Sequence, residues 1–163
     1  TLIRLPFMWN YQVRGFFKDS CGLLSRGGAK YSGAMKAYKK VIDGNIFVGP
    51  RRIAWNIPEV GIDEEGNFFK IDPCNLPILQ RPLRIQGPTG ERSAIASSEE
   101  LPTGSSIKFY VEYMNAKDRD AIIEWLDYGT VHGLGAWRNS GKGTFIWREL
   151  KPDYSAYDEE EEA

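Results

Sequence analysis

The sequence predicts an α+β fold of ferredoxin-like (RRM-like) type: an antiparallel sheet with helices on one face and a glycine-rich loop before the last strand. Three observations carry this. Ser106–Met114 alternates, with Ile107, Phe109, Val111 and Tyr113 on one face and Lys108, Tyr110 and Glu112 on the other. The following stretch to Tyr128 places Ile122, Trp125 and Leu126 at helical spacing. Tyr128–Phe145 then holds five glycines and leads into a short apolar run, Thr144–Leu150. Strand, helix, glycine loop and strand, in that order, suit one antiparallel sheet better than a parallel one.

The earlier elements are read in the same way. Ile3, Leu5 and Phe7 alternate in an opening strand, Thr1–Phe7, which Pro6 confines to an end or edge. Asn10 caps a helix to about Leu24, along which Tyr11, Phe17, Cys21 and Leu24 approximate helical spacing. The segment from Arg26 to Lys30 is a flexible basic connection. Met35–Val41 and Asn45–Val48 are the arms of a hairpin turning at Asp43-Gly44. Ile53–Ile57 resumes a strand, and Asp63–Gly66 is a turn. The prolines at 73, 77 and 82 make residues 67–82 an irregular loop. Arg81–Gln86 and Glu91–Ala96 form a second hairpin around Gly87-Pro-Thr-Gly. Asn115 or Asp118 caps the late helix, Gly129 takes its C-cap position, and Thr144–Leu150 is the final strand.

The 163 residues fit a single domain over residues 1–150 with an acidic tail, 151–163. From Lys151 onward six acids face one lysine, a local charge of −5, so the body carries +4 of the total −1. Such a tail is either a solvated segment or a competitor for the surface a polyanion would use. Cys21, Cys74 and the single His132 offer neither a disulfide framework nor a metal-ligand spacing, so no metal and no cofactor are expected. No run of eighteen apolar residues occurs, and the first residues do not form a signal peptide, which points to the cytoplasm.

The glycine-rich stretch is the candidate site. Glycine reaches positive φ cheaply and lets another backbone come close. Trp137, Arg138, Asn139 and Lys142 beside Gly133, Gly135, Gly141 and Gly143 suit a phosphate backbone and a stacked base. The plain alternative is a connection that only turns a helix into a strand. It is not a P-loop: five residues separate Gly135 from Gly141-Lys142, and Gly143 stands where a magnesium-binding hydroxyl belongs. Lys36, Lys39, Lys40, Arg51, Arg52, Arg81, Arg84 and Arg92 recur near the expected strand ends. With Arg138 and Lys142 they would make a phosphate track, or else they are scattered surface charges.

The run Glu99–Phe109, the helix, and Gly133-Leu-Gly-Ala-Trp-Arg-Asn-Ser-Gly-Lys-Gly-Thr-Phe145 resemble the closing half of the RAMP superfamily, ferredoxin-like RNA-binding proteins of CRISPR effector backbones. The ending also resembles that of uncharacterised phage-encoded proteins. The resemblance covers Ser97–Glu149 and matches the family's loop at Gly133, Gly135, Arg138, Gly141 and Gly143. It implies binding along RNA or another single-stranded backbone with the glycine-rich loop at the ligand. Since the residues offer no Ser-His-Asp or Cys-His arrangement, that binding is read as non-catalytic, RNA before DNA, in the cytoplasm of a host cell. Some RAMP relatives cleave RNA without metal, which makes His132 the candidate base under the alternative of a ribonuclease, with Tyr128, Lys142 and Tyr113 as helpers. A lone histidine at a helix end is more commonly a capping or packing residue. A third class is assembly: the acidic tail and basic body could pair head to tail in a homo-oligomer or filament, or serve a phage assembly or counter-defence role through protein contacts.

Overall fold

Aromatic residues at alternate positions open the described chain, and their strand pairs with a partner more than forty residues away. The computed structural model describes residues 5–88, 90–136 and 138–151, without the Asn139 side chain. Strand β1 (Phe7–Trp9) runs antiparallel to β3 (Arg52–Asn56), with Phe7 opposite Ala54, Met8 opposite Ile53 and Trp9 opposite Arg52. β3 in turn pairs with β8 (Ser106–Ile107) through Trp55 opposite Ile107 and Asn56 opposite Ser106. The period of two sorts this three-stranded sheet into faces. Met8, Ile53, Trp55 and Ile107 lie on one, with Ile53 fully buried, while Phe7, Trp9, Arg52, Ala54, Asn56 and Ser106 lie on the other. Further antiparallel pairs are β2 (Ile46–Gly49) with β9 (Tyr110–Tyr113), β4 (Val60–Ile62) with β5 (Phe68–Lys70), and β6 (Ile78–Gly87) with β7 (Gly90–Glu99). The fold is therefore mixed α+β with small antiparallel sheets. The order β1-β3-β8 leaves β1 at an edge beside β3 rather than between two later strands.

The chain divides into two compact units, one of residues 1–13 and 48–112 and the other of residues 14–47 and 113–163. The first contains the three-stranded sheet and both long and short hairpins. Helix α1 (Asn10–Arg26) starts there: the Gln12 side chain accepts from the Trp9 backbone N–H at 2.8 Å, one half of a capping box. Asn10, read as the cap, instead donates its side-chain amide to Val48 C=O at 2.9 Å. The β6–β7 ribbon has ten residues in each strand, longer than the sequence suggested at both ends. Its extension overturns the irregular loop expected over residues 67–82, where β5 and the start of β6 are found. Pro82 is accommodated opposite Ile95 because a two-stranded ribbon has an outer edge on which a missing N–H costs no ladder bond.

The second unit packs α1, α2 (Lys30–Ala34), α3 (Tyr38–Asn45) and α4 (Ala116–His132) around Phe17, Cys21, Ile42, Ile46, Ala121 and Trp125, all fully buried. Phe17 and Trp125 meet at 5.4 Å between ring centroids. Burying side chains of this size contributes about 1.5–3 kcal/mol each. Trp125 donates its indole N–H to Ser32 Oγ at 2.9 Å, so its polar atom is satisfied. Glu124, one residue before it, takes the Tyr31 and Ser32 backbone N–H groups at 3.2 and 2.9 Å. The carboxylate thus serves α2 as a cap from another helix, replacing the cap that Ala29 cannot give.

Three expectations are corrected in this unit. The first arm of the hairpin expected over 35–48 is helix α3, which buries Ile42 completely and holds Asp43-Gly44 in its last turn. Gly129 lies inside α4, and its missing side chain admits Phe145 and Phe16; the helix ends at Gly133, whose φ is +82°. Residues 144–150 form no strand among the described residues. They run extended along α4: Phe145 packs on Phe16 at 5.9 Å, Trp147 Nε1 donates to Asp127 at 2.9 Å, and Glu149 pairs with Arg119 at 2.8 Å. The alternation is real, but it is satisfied by helix side chains instead of a strand edge. Ser106–Met114 is likewise interrupted, at Lys108–Phe109 between β8 and β9. Of the opening strand, residues 1–4 lie outside the described residues. No described helix is long and apolar enough to cross a membrane.

Candidate nucleic-acid interface

The glycine loop closes on itself. Leu134 N–H donates to Gly143 C=O at 2.8 Å, and Gly133 N–H to Gly129 C=O at 2.8 Å. A Cβ on Gly133 would stand 2.8 Å from Lys142 C=O, and one on Gly143 would strike Leu134 C=O, so the neck of the loop requires glycine at both positions. Between them Arg138 opens a single 3₁₀ turn, Arg138–Ser140, closed by Gly141 N–H on Arg138 C=O at 2.8 Å.

That turn aims Arg138 back at the helices. Its Nη1 lies 2.5 Å from Asp19 Oδ2 and 2.9 Å from His132 Nε2, and the latter two atoms are 3.1 Å apart. The other ring nitrogen of His132, Nδ1, is 3.3 Å from the Tyr128 hydroxyl, and the two rings stack at 4.8 Å. Arg138 Nη1 carries two protons, so it can serve both Asp19 and a neutral His132, whose Nδ1–H then faces Tyr128; a protonated ring donates to Asp19 instead. Burial alone would raise the Asp19 carboxyl. Hydrogen bonds from Arg138 and His132, together with their charges, outweigh it and hold the group below its ordinary value. The arginine expected at the polyanion is therefore already matched to a carboxylate. Lys142 is half-buried, and Trp137 lies outside the described residues. Lys36 precedes α3, and Lys39 and Lys40 are exposed on it. Among the described residues no group of three His, Cys, Asp or Glu could hold a metal ion.

The first unit holds the rest of the predicted cations. Arg81 and Arg92 share one face of the β6–β7 ribbon with Leu79, Leu83 and Ile85, while Arg84 is on the other face, 3.7 Å from Glu91. Arg51 and Arg52 are differently placed. The Arg52 guanidinium sits 5.3 Å from the Trp9 ring and 5.5 Å from Phe7, and that of Arg51 is 5.7 Å from Trp9. Phe7 meets Trp9 edge-on at 4.9 Å, and Trp9 stacks on Tyr11 at 6.0 Å. Phe7 is 43% exposed and Tyr11 57%. Strand β1, the start of α1 and the start of β3 thus gather three aromatic rings and two arginines in one cluster. Phe7, Trp9, Tyr11 and Asp19 were not singled out from the sequence. The first three had a signal there, since F-M-W-N-Y sets its aromatics at alternate positions.

This is the class of arrangement, a cationic and aromatic sheet face in an α+β protein, that suits flat anionic ligands. No protein-family model matches the chain. It is similar to a UPF0201 protein of Saccharolobus solfataricus, 44% identical over 50 residues, which are 31% of this chain and 32% of that protein. A UPF0201 protein of Saccharolobus islandicus is 42% identical over 50 residues, with the same coverage. The match thus spans about a third of the curated relatives' length. No solved structure matches. These relatives overturn the expected kinship with the RAMP superfamily and with phage-encoded proteins, and the CRISPR and phage roles inferred from that kinship go with it.

Proposed function

We propose that the chain binds single-stranded nucleic acid, without cleaving it, on the exposed face of the β1–β3–β8 sheet. One observation carries this reading: Phe7, Trp9 and Tyr11 are held together with Arg51 and Arg52, and Phe7, Tyr11 and both arginines are exposed. Bases stack on aromatic rings without regard to sequence, at about 1–3 kcal/mol per base, and guanidinium groups beside the rings meet the phosphates. Single strands fit better than a duplex because their bases are free to leave the stack. The glycine loop is a secondary contact in this reading, since Arg138 must first part from Asp19. A ferredoxin-like arrangement stays part of the same proposal, supported by the helices α1 to α3 between β1 and β2 and by α4 after β9.

The test is binding of fluorescent single-stranded RNA and DNA to wild type, Phe7→Ala and Tyr11→Ala, with the oligonucleotide analysed afterwards by gel. The expected result is a loss of about 1–3 kcal/mol in each variant with the strand left whole. Equal binding in all three proteins would remove this face as the site. The tight contacts among Tyr128, His132, Asp19 and Arg138 favour the second reading, a metal-independent ribonuclease; strand scission by wild type, lost in His132→Ala, would establish it.

A further inference from the structure

The register of the same sheet places one polar side chain where it can distinguish bases, an inference that rests on the reading above. Phe7 stands opposite Ala54, and the residues two positions either side of Ala54 are Arg52 and Asn56. Both are diagonal neighbours of Phe7, a relation that spans about 7–8 Å and lies within reach of long side chains. The Arg52 diagonal is realised, with its guanidinium 5.5 Å from the Phe7 ring. The Asn56 diagonal is its counterpart on the other side. Asn56 is exposed, and its amide makes no hydrogen bond to another described residue. Opposite it on β8 is Ser106, also exposed, whose hydroxyl points to the same face. Ala54 between the two is exposed and small, which leaves room above the sheet beside Phe7 for a planar ring.

We infer that Asn56 is a specificity-determining residue that reads the edge of a base stacked on Phe7, with Ser106 as a supporting hydroxyl and Arg52 on the phosphate side. A carboxamide offers one acceptor and two donors in a plane, the complement of an adjacent amino group and ring nitrogen on adenine. The ligand assigned is thus a single strand with adenine at this position. The edge assigned is the one that carries N6 and N7: on that edge the pyrimidines have no ring acceptor beside the exocyclic group, and guanine presents two acceptors, which suit arginine or lysine.

The experiment measures fluorescence anisotropy of labelled adenine, cytosine and uracil or thymine homopolymers, as RNA and as DNA, at one salt concentration. Wild type, Asn56→Ala and Asn56→Asp are compared, with Phe7→Ala beside them. Wild type is expected to prefer adenine by about tenfold, Asn56→Ala to bind all strands about equally, and Asn56→Asp to shift preference toward cytosine, whose amino group it can accept. Binding by wild type with no base preference, or a preference untouched in Asn56→Ala, overturns this inference and leaves the binding function standing. Absence of binding by wild type overturns both. Because the side chain is exposed, the three Asn56 proteins should share one circular dichroism spectrum and melting temperature, so a change in preference reads the base contact alone.

Discussion

Asp19 shows how one residue sets the electrostatics of the loop. Its carboxylate receives Arg138 at 2.5 Å and stands 3.1 Å from His132, so it fixes both a loop residue and a helix end. Its folded value lies below the ordinary 3.8, because the two cationic partners outweigh its burial. A group lowered on folding adds stability that is fully present above the unfolded value and is lost as pH falls through the folded one. Asp19→Asn should therefore melt below wild type near neutral pH, and the gap should narrow as pH falls below the ordinary carboxylate value and through the lowered folded one. Thermal melts of the two proteins across that range check it; a constant gap would mean that the ion pair contributes nothing. Asp19 was not foreseen because it lies 119 positions from Arg138 and nothing local to either announces the pairing.

Helices and extended segments differed in how well their sequences announced them. α1 and α4 were legible because long periodic stripes point to the same state as the tertiary contacts. The caps read for them were not, since Asn10 donates to Val48 C=O and Asn115, at the N-cap position of α4, makes no side-chain capping bond. α3 was not, since Asp-Gly after a basic run matches a hairpin turn as well as a helix end; the deciding fact, burial of Ile42, belongs to packing. The strap over 144–150 shows the same limit from the other side. Period two fixes which residues face inward, yet not whether a strand or a helix receives them. Glycines sharpen the contrast at this scale. Gly15→Ala, with nothing within 4 Å of a new Cβ, should stabilise α1 by about 0.5–1 kcal/mol through helix propensity. Gly129→Ala must displace Phe145 or Phe16 and should lower stability by about 1–3 kcal/mol. Urea midpoints of the two variants, moving in opposite directions, would confirm the packing of the strap on α4.

Across the whole molecule the cations read as either one track or scattered charges fall into two compact units, and they are not equivalent as phosphate ligands. Arg51 and Arg52 lean on aromatic rings with no carboxylate partner among the described residues, whereas Arg138 is bound to Asp19 and Arg84 lies near Glu91. Which arginine was which was hidden in the sequence: the pairing of β1 with β3 is long-range, as is that of α1 with the loop, so composition revealed the charges without their partners. The difference has a thermodynamic signature. Each phosphate neutralised on a single strand contributes about 0.7 to the slope of log affinity against log salt, because it releases a condensed counterion. Arg51→Ala with Arg52→Ala should flatten that slope by about 1.4. Arg138→Ala should flatten it by less than about 0.7, because an arginine that already neutralises a carboxylate displaces fewer counterions when nucleic acid arrives. Asp19→Asn removes that competitor and should steepen the slope. Titrations of one labelled single strand over a range of potassium chloride concentrations separate these cases. If Arg138→Ala instead flattened the slope as much as the double variant, the glycine loop would rank as the principal contact and the sheet face as the secondary one.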